Sequence, residues 1–141
     1  MKKAIIFDFS DTLVKMRPPK LLARRSLLQK LANKYQLAII TGARRAEVAN
    51  ILRRFNLSEL FSLVISKNDS QYEKPDKKLF FLAKKILGFE TAFYIGDIFK
   101  DFKFAENSKV PFYYVGKRKL GVKQDKDINK LLEYILCKKG R

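Results

Sequence analysis

The chain has no histidine among its 141 residues, and that absence removes more chemistry than any other feature of its composition. Ser-His-Asp and Cys-His catalysis are excluded, and so is a His-ligated metal centre. One cysteine, Cys137, leaves no disulfide within the chain and no sign of an oxidising compartment. Its place on the last helical segment reads as that of a small buried apolar residue. No apolar run approaches the roughly 18 residues that a membrane span needs. The opening MKKAIIFDFS combines two lysines with an apolar run, but it reaches Asp8 too early for a secretory leader, and no small-residue cleavage site follows. A cytoplasmic location is expected. Acidic residues are also scarce, 14 against 31 Lys and Arg, for a net charge of +17. Such a field attracts polyanions such as nucleic acid or phosphorylated compounds, and it also keeps a protein soluble. The charge alone does not choose between the two.

Carboxylates, hydroxyls and lysines remain for chemistry, and for a metal only oxygen ligands, which suit Mg²⁺ or a similar hard cation. The chain is 47% hydrophobic, enough for a packed core, and its length suits one domain over residues 1–141. Short, nearly unbroken apolar runs rich in Ile, Val, Phe and Tyr fall at 4–9, 37–41, 61–66, 92–97 and 111–116. Strands of this kind are covered on both faces. Between them, helical periodicity marks 20–35, with Leu21, Leu28, Leu31, Ala32 and Tyr35 on one stripe and Arg24 blurring its start. It also marks 44–55, 76–88 with a stop at Gly88, and 127–139 with cations in its last turn. The expected fold is α/β: a Rossmann-like three-layer sandwich with a five-stranded parallel sheet and helices on both faces. The stretches 14–20, 67–74 and 116–126 are left without an element.

In such sheets ligands bind beyond the carboxyl ends of the strands, so the residues there matter most. The first strand delivers Asp8 and is followed by Ser10, Asp11 and Thr12; the second ends on Thr41 and Gly42. The loop after the third leads to Lys74-Pro75, and the fourth ends on GDIFKD, with Asp97 and Asp101. One such residue is often only a helix cap or a turn. Together they make chemical sense. Three carboxylates would repel one another without a cation. One left free is a nucleophile toward phosphorus, and a hydroxyl, an ammonium and backbone N–H groups can hold phosphoryl oxygens.

In this arrangement the chain resembles the haloacid dehalogenase superfamily, whose members are mostly Mg²⁺-dependent phosphatases working through an aspartyl-phosphate. The motifs DFSDT, LAIITG, EKPD and IGDIFKD occur in the family's order and span residues 5 to 101. The resemblance implies Asp8 as nucleophile and metal ligand, with Thr41, Gly42 and Lys74 binding the phosphoryl group, and Asp11 is counted beside them at the phosphate site. It implies Asp97 as a direct ligand, Asp101 as a ligand or a support through water, and the backbone carbonyl of Ser10 completing the metal shell. Both intervals, Asp8 to Thr41 and Thr41 to Lys74, leave no room for the lid domain that many members insert. A capless, open site is therefore expected, suited to large phosphorylated substrates unless a second copy of the chain covers it.

One position departs from the family's pattern. Most of its phosphatases carry Asp where this chain has Ser10, and that Asp is the general acid and base. A hydroxyl with no base beside it cannot replace it, at a loss of roughly 10²–10⁴-fold for a poor leaving group. Three readings stand. The substrate has an activated leaving group; Asp11, where the family usually has Gly, takes part; or the site is catalytically weak and binds nucleic acid or another polyanion. Basic residues follow the same strand ends: Lys15, Arg17, Arg44, Arg45, Lys100, Lys117, Arg118 and Lys119. Phe9, Phe99, Tyr113 and Tyr114 lie near them, either stacking bases or simply filling the core.

Overall fold

The computed structural model describes residues 2–138. Six strands form one parallel sheet: β1 (Lys3–Phe7), β4 (Gln36–Ile40), β5 (Leu63–Ile65), β6 (Thr91–Gly96), β7 (Phe112–Val115) and β8 (Gln124–Asp125). The spatial order is β5-β4-β1-β6-β7-β8, and every pairing is parallel. The expectation of five strands is corrected by β8. It is two residues long, Gln124 and Asp125, at the sheet edge, and carries no apolar run.

Strand β1 is central and its Ala4, Ile5, Ile6 and Phe7 have no exposed surface. Its alternation splits the interior in two. Ile5 and Phe7 face a core completed by α1 (Arg25–Ala32), α2 (Arg45–Arg54) and α5 (Ile128–Cys137), whereas Ala4 and Ile6 face one completed by α3 (Lys78–Leu87) and α4 (Phe99–Ser108). The unbroken apolar character of the strands thus reflects helices on both sides.

Three local differences from the sequence expectations have clear causes. Helix α1 begins at Arg25 rather than at residue 20, because β2 (Val14–Met16) and β3 (Pro19–Leu21) form an antiparallel hairpin across the 14–20 stretch and Arg24 caps the helix in extended conformation. Helix α4 follows the Asp97 loop at once. Its buried face is Asp101, Phe104, Ala105 and Ser108, and an acid and a serine in that stripe hide it from an apolar count. Cys137 is exposed, not buried, since the inward stripe of α5 is Ile128, Leu131, Leu132 and Ile135. Helix α3 ends on Gly88 in the left-handed region at φ 70°, as its stop signal implies. Of the last-turn cations expected for α5, Lys138 is its C-cap and residue 139 lies outside the described residues. Among the described residues no helix is long and apolar enough to cross a membrane.

The chain runs from β1 outward through β4 to β5, then returns to the other side of β1 for β6, β7 and β8. The loops leaving β1 and its neighbours diverge there and open a crevice at the strands' carboxyl ends. No inserted domain interrupts these loops among the described residues.

Candidate active site

Three adjacent strands deliver the first groups. Asp8 leaves β1 with its backbone N–H donating to Ile95 O on β6 at 2.9 Å, and Thr41 leaves β4 in the same way toward Ile65 O on β5 at 2.9 Å. Asp97 leaves β6. Lys74 arrives from the loop ahead of α3, and Asp101 from the first turn of α4. Carboxylate oxygens of Asp8, Asp97 and Asp101 lie within 4.8 Å of one another.

Lys74 ties the group together. Its ammonium donates to Asp8 Oδ1 at 2.9 Å, Asp101 Oδ1 at 3.0 Å, the Tyr94 hydroxyl at 2.8 Å and Ile40 O at 3.0 Å. Asp101 is fully buried. Its Oδ1 accepts from Lys74 and from the Tyr94 hydroxyl at 2.9 Å, while its Oδ2 accepts from the N–H groups of Asp97 at 3.1 Å and Ile98 at 3.3 Å. Four protein donors thus use its lone pairs. The acid fixes both the ammonium and the loop that presents Asp97. Thr12, also fully buried, donates its hydroxyl to Asp97 Oδ1 at 2.9 Å.

The electrostatics follow from burial. Desolvation pushes the Asp8 carboxyl above its ordinary value, with the Lys74 ammonium pulling the other way. Asp101 is raised by the same cause against the same opposition. Asp97 is raised by burial despite hydrogen bonds that favour its charged form. Burial works against the charge on Lys74, but the two carboxylates overcome it and its pKa stands above the lysine norm. The buried Tyr94 hydroxyl is pushed well above its usual value and stays a neutral donor. Three acids against one ammonium leave an uncompensated negative site of oxygen donors, which matches a hard dication and not a soft metal.

The remaining expected residues line the same cavity of about 630 Å³, which holds Asp8, Ser10, Asp11, Thr41, Gly42 and Lys74 on its wall. Ser10 is half-buried and makes an isolated bridge with Val14. Asp11 sits in the left-handed region at φ 62°, where glycine is more at ease. Its carboxylate pairs with Lys15 at 3.2 Å on the exposed lip. Thr41 Oγ1 accepts from Ala43 N–H at 3.1 Å, which leaves its own proton available. A Cβ on Gly42 would meet nothing within 4 Å, so no steric need for glycine exists there.

Sequence reasoning noticed Thr12 without giving it a part, and it missed Tyr94. A signal existed. Tyr94 and Gly96 share one face of β6, and a Cβ on Gly96 would lie 2.5 Å from the Asp101 carboxyl carbon. That glycine makes room for the acid. Of the basic rim, Lys15 pairs with Asp11, Arg17 with Glu47, and Arg45 with Asp69. Arg44, Lys100, Lys117, Arg118 and Lys119 make no ion pair among the described residues. Phe9, Tyr113 and Tyr114 are core residues, whereas Phe99 is 49% exposed.

A family model described as haloacid dehalogenase-like hydrolase matches residues 23–115. The matched span contains Thr41, Lys74, Asp97 and Asp101 and begins beyond Asp8. Among curated proteins no sequence match is found. Solved structures resemble the chain closely in fold. A subfamily IA hydrolase of the haloacid dehalogenase superfamily from Geobacter sulfurreducens PCA has TM-score 0.77 at 16% identity, covering 95% of this chain and 100% of that one. The 2-haloacid dehalogenase from Pseudomonas syringae pv. Tomato DC3000 has TM-score 0.79 at 14% identity, covering 96% and 99%. The core domain of a provisionally named phosphoglycolate phosphatase from Streptococcus pneumoniae TIGR4 has TM-score 0.74 at 19% identity, covering 98% of both chains. At these identities the likeness concerns the fold.

Proposed function

The chain belongs to the haloacid dehalogenase-like hydrolases, and from that premise we propose that it is a Mg²⁺-dependent phosphatase of activated phosphoryl substrates, with Asp8 as nucleophile. The observation that carries this reading is the pairing at Asp8. One of its oxygens is held by Lys74 at 2.9 Å, while the carboxylate lies within 4.8 Å of the Asp97 and Asp101 oxygens. Lys74 keeps it oriented, and burial strips it of the water that would blunt it.

In the first step Asp8 attacks phosphorus, the bond to the leaving oxygen breaks, and the leaving group departs with the electron pair. In the second step water attacks the aspartyl-phosphate, inorganic phosphate leaves, and the Asp8 carboxylate is restored with release of one proton. Thr41 Oγ1 and the Gly42 backbone N–H hold phosphoryl oxygens, and Lys74 balances the charge that builds on them. The metal would be held by Asp8, Asp97 and the backbone carbonyl of Ser10, while Asp101, whose oxygens already serve four donors, holds Lys74 and the Asp97 loop in place. When bound, a hard dication neutralises the carboxylates and draws charge from the phosphoryl oxygens.

Ser10 sets the substrate class. It cannot protonate a departing alkoxide, so the reading favours leaving groups that depart as stable anions, the carboxylate of an acyl phosphate above all. Asp11 does not fill the gap in this reading, because its carboxylate is engaged by Lys15. The test is hydrolysis of acetyl phosphate with Mg²⁺. EDTA and Asp8→Asn are each expected to reduce release of phosphate to background. Turnover that survives Asp8→Asn would refute the proposed nucleophile.

A further inference from the structure

Resting on the phosphatase reading of the Asp8 site, we propose that the lip beside Asp97 is a docking platform for single-stranded nucleic acid, whose terminal phosphate, an alkyl ester, the cavity binds and, with Ser10 in place of an acid, turns over slowly. Helix α4 begins two residues after Asp97 and leaves two large apolar side chains in water, Ile98 at 47% and Phe99 at 49% exposure. Ile98 and Lys100 line the cavity, so Phe99 stands between two residues of the site wall. The Phe99 ring is backed by Phe102, at 5.7 Å between centroids, and Phe102 by Phe112 at 5.8 Å. The guanidinium of Arg118 lies over the Phe99 ring at 5.3 Å. The exposed aromatic is thus held from behind and flanked by a planar cation.

The cations of the rim fall into paired and unpaired members. Lys15, Arg17 and Arg45 are neutralised by carboxylates across the mouth. Lys100, Lys117, Arg118 and Lys119 are exposed and make no ion pair among the described residues. With Arg44 and the cavity-lining Lys67 they make up the unpaired cations of this edge among the described residues, and of these Arg118 lies over the exposed ring while Lys100 follows it in the chain. A polymer with one charge and one flat base per unit matches an exposed aromatic set beside a stacked guanidinium on a basic edge. A phosphopeptide offers one phosphate and no succession of charges, and a lipid surface offers no ring to stack. The absence of a lid domain leaves the lip open to a chain that continues past the site.

The experiment titrates a fluorescein-labelled twelve-nucleotide oligo-dT, phosphorylated at the 3′ or the 5′ end, into Asp8→Asn protein with Mg²⁺, followed by anisotropy at several KCl concentrations. In that background Phe99→Ala is expected to weaken binding at least about 5-fold, while Phe99→Tyr, which keeps the ring, binds as the parent does. The triple change Lys117→Ala, Arg118→Ala, Lys119→Ala is expected to lower the slope of log affinity against log salt by about 2. Circular dichroism and thermal unfolding matching the parent show that the variants are folded. Affinity unmoved by both sets of changes overturns the platform. So does equal binding of polyphosphate, which has no bases, or binding to phosphatidylserine vesicles in place of the oligonucleotide. Acetyl phosphate turnover by the wild type separates the two readings. If it is hydrolysed and the oligonucleotide does not bind, the platform alone falls; if the oligonucleotide binds and nothing is hydrolysed, the site reading falls.

Discussion

Replacing Lys74 by Met removes the ammonium that holds Asp8, Asp101, Tyr94 and Ile40 together. Its side chain is 9% exposed and that of Asp101 is 0%, so the two carboxylates would be left charged in a place that water hardly reaches. Removing one partner of a buried ion pair costs about 3–5 kcal/mol. With an unfolding entropy of about 2.1 cal/mol/K per residue, each kcal/mol moves the melting midpoint of a chain this long by about 3 °C, and the expected drop is roughly 10–17 °C. The sign of the pH dependence follows from the carboxyls. Burial already raises Asp8 and Asp101 above the ordinary 3.8, and Lys74 opposes that rise. Without Lys74 they rise further. Between 3.8 and its raised value a carboxyl binds a proton in the folded chain but not in the unfolded one, so stability increases as pH falls through that window. Lys74, itself raised above 10.5, stays charged throughout and adds no slope at acid or neutral pH. Melting curves by circular dichroism in EDTA at pH 8 and pH 5.5 are expected to show the gap between wild type and Lys74→Met narrowing at the lower pH. A drop under about 4 °C at pH 8, or a gap that does not narrow, would show that the ammonium does not compensate these acids.

Ser10→Asp is expected to raise hydrolysis of an unactivated alkyl phosphate by roughly 10²–10⁴-fold while changing acetyl phosphate turnover little; no gain on the alkyl ester in a phosphate-release assay would sink the missing-acid account. Gly96→Ala would bring a Cβ to 2.5 Å from the Asp101 carboxyl and displace that acid from the Asp97 and Ile98 N–H groups. It is expected to lower the melting midpoint by about 3–10 °C, the cost of overpacking, and to abolish Mg²⁺-dependent turnover. An unchanged midpoint would mean that Asp101 is not held against β6.

The long apolar strands announced themselves because burial on both faces needs a nearly continuous apolar run, and residues 4–9, 37–41 and 92–97 have one. The site residues that leave those strands were legible for the same reason: Asp8, Thr41 and Asp97 stand where the run stops. What the sequence hid depends on backbone or on single polar atoms. Strand β8 is two polar residues long, and the β2–β3 hairpin is too short to show a period. Helix α4 turns an acid inward, so its stripe does not count as apolar. Tyr94 reads as one more aromatic in a buried strand, and only its hydroxyl, in contact with Lys74 and Asp101, gives it a part in the site. Asp11 pairs with Lys15 from a left-handed backbone conformation that composition does not reveal.

The exposure of Cys137 bears on any measurement of how many copies associate. Lys138, the next residue, lines a cavity with Lys3 and Thr91, the first residues of β1 and β6, so this thiol lies at the end of the sheet away from Asp8. Two molecules stored without reductant can join there through an intermolecular sulfur bridge, and a sizing column would then count a covalent artefact as a native dimer. The same group accepts a maleimide dye at one defined point, remote from the reacting carboxylates.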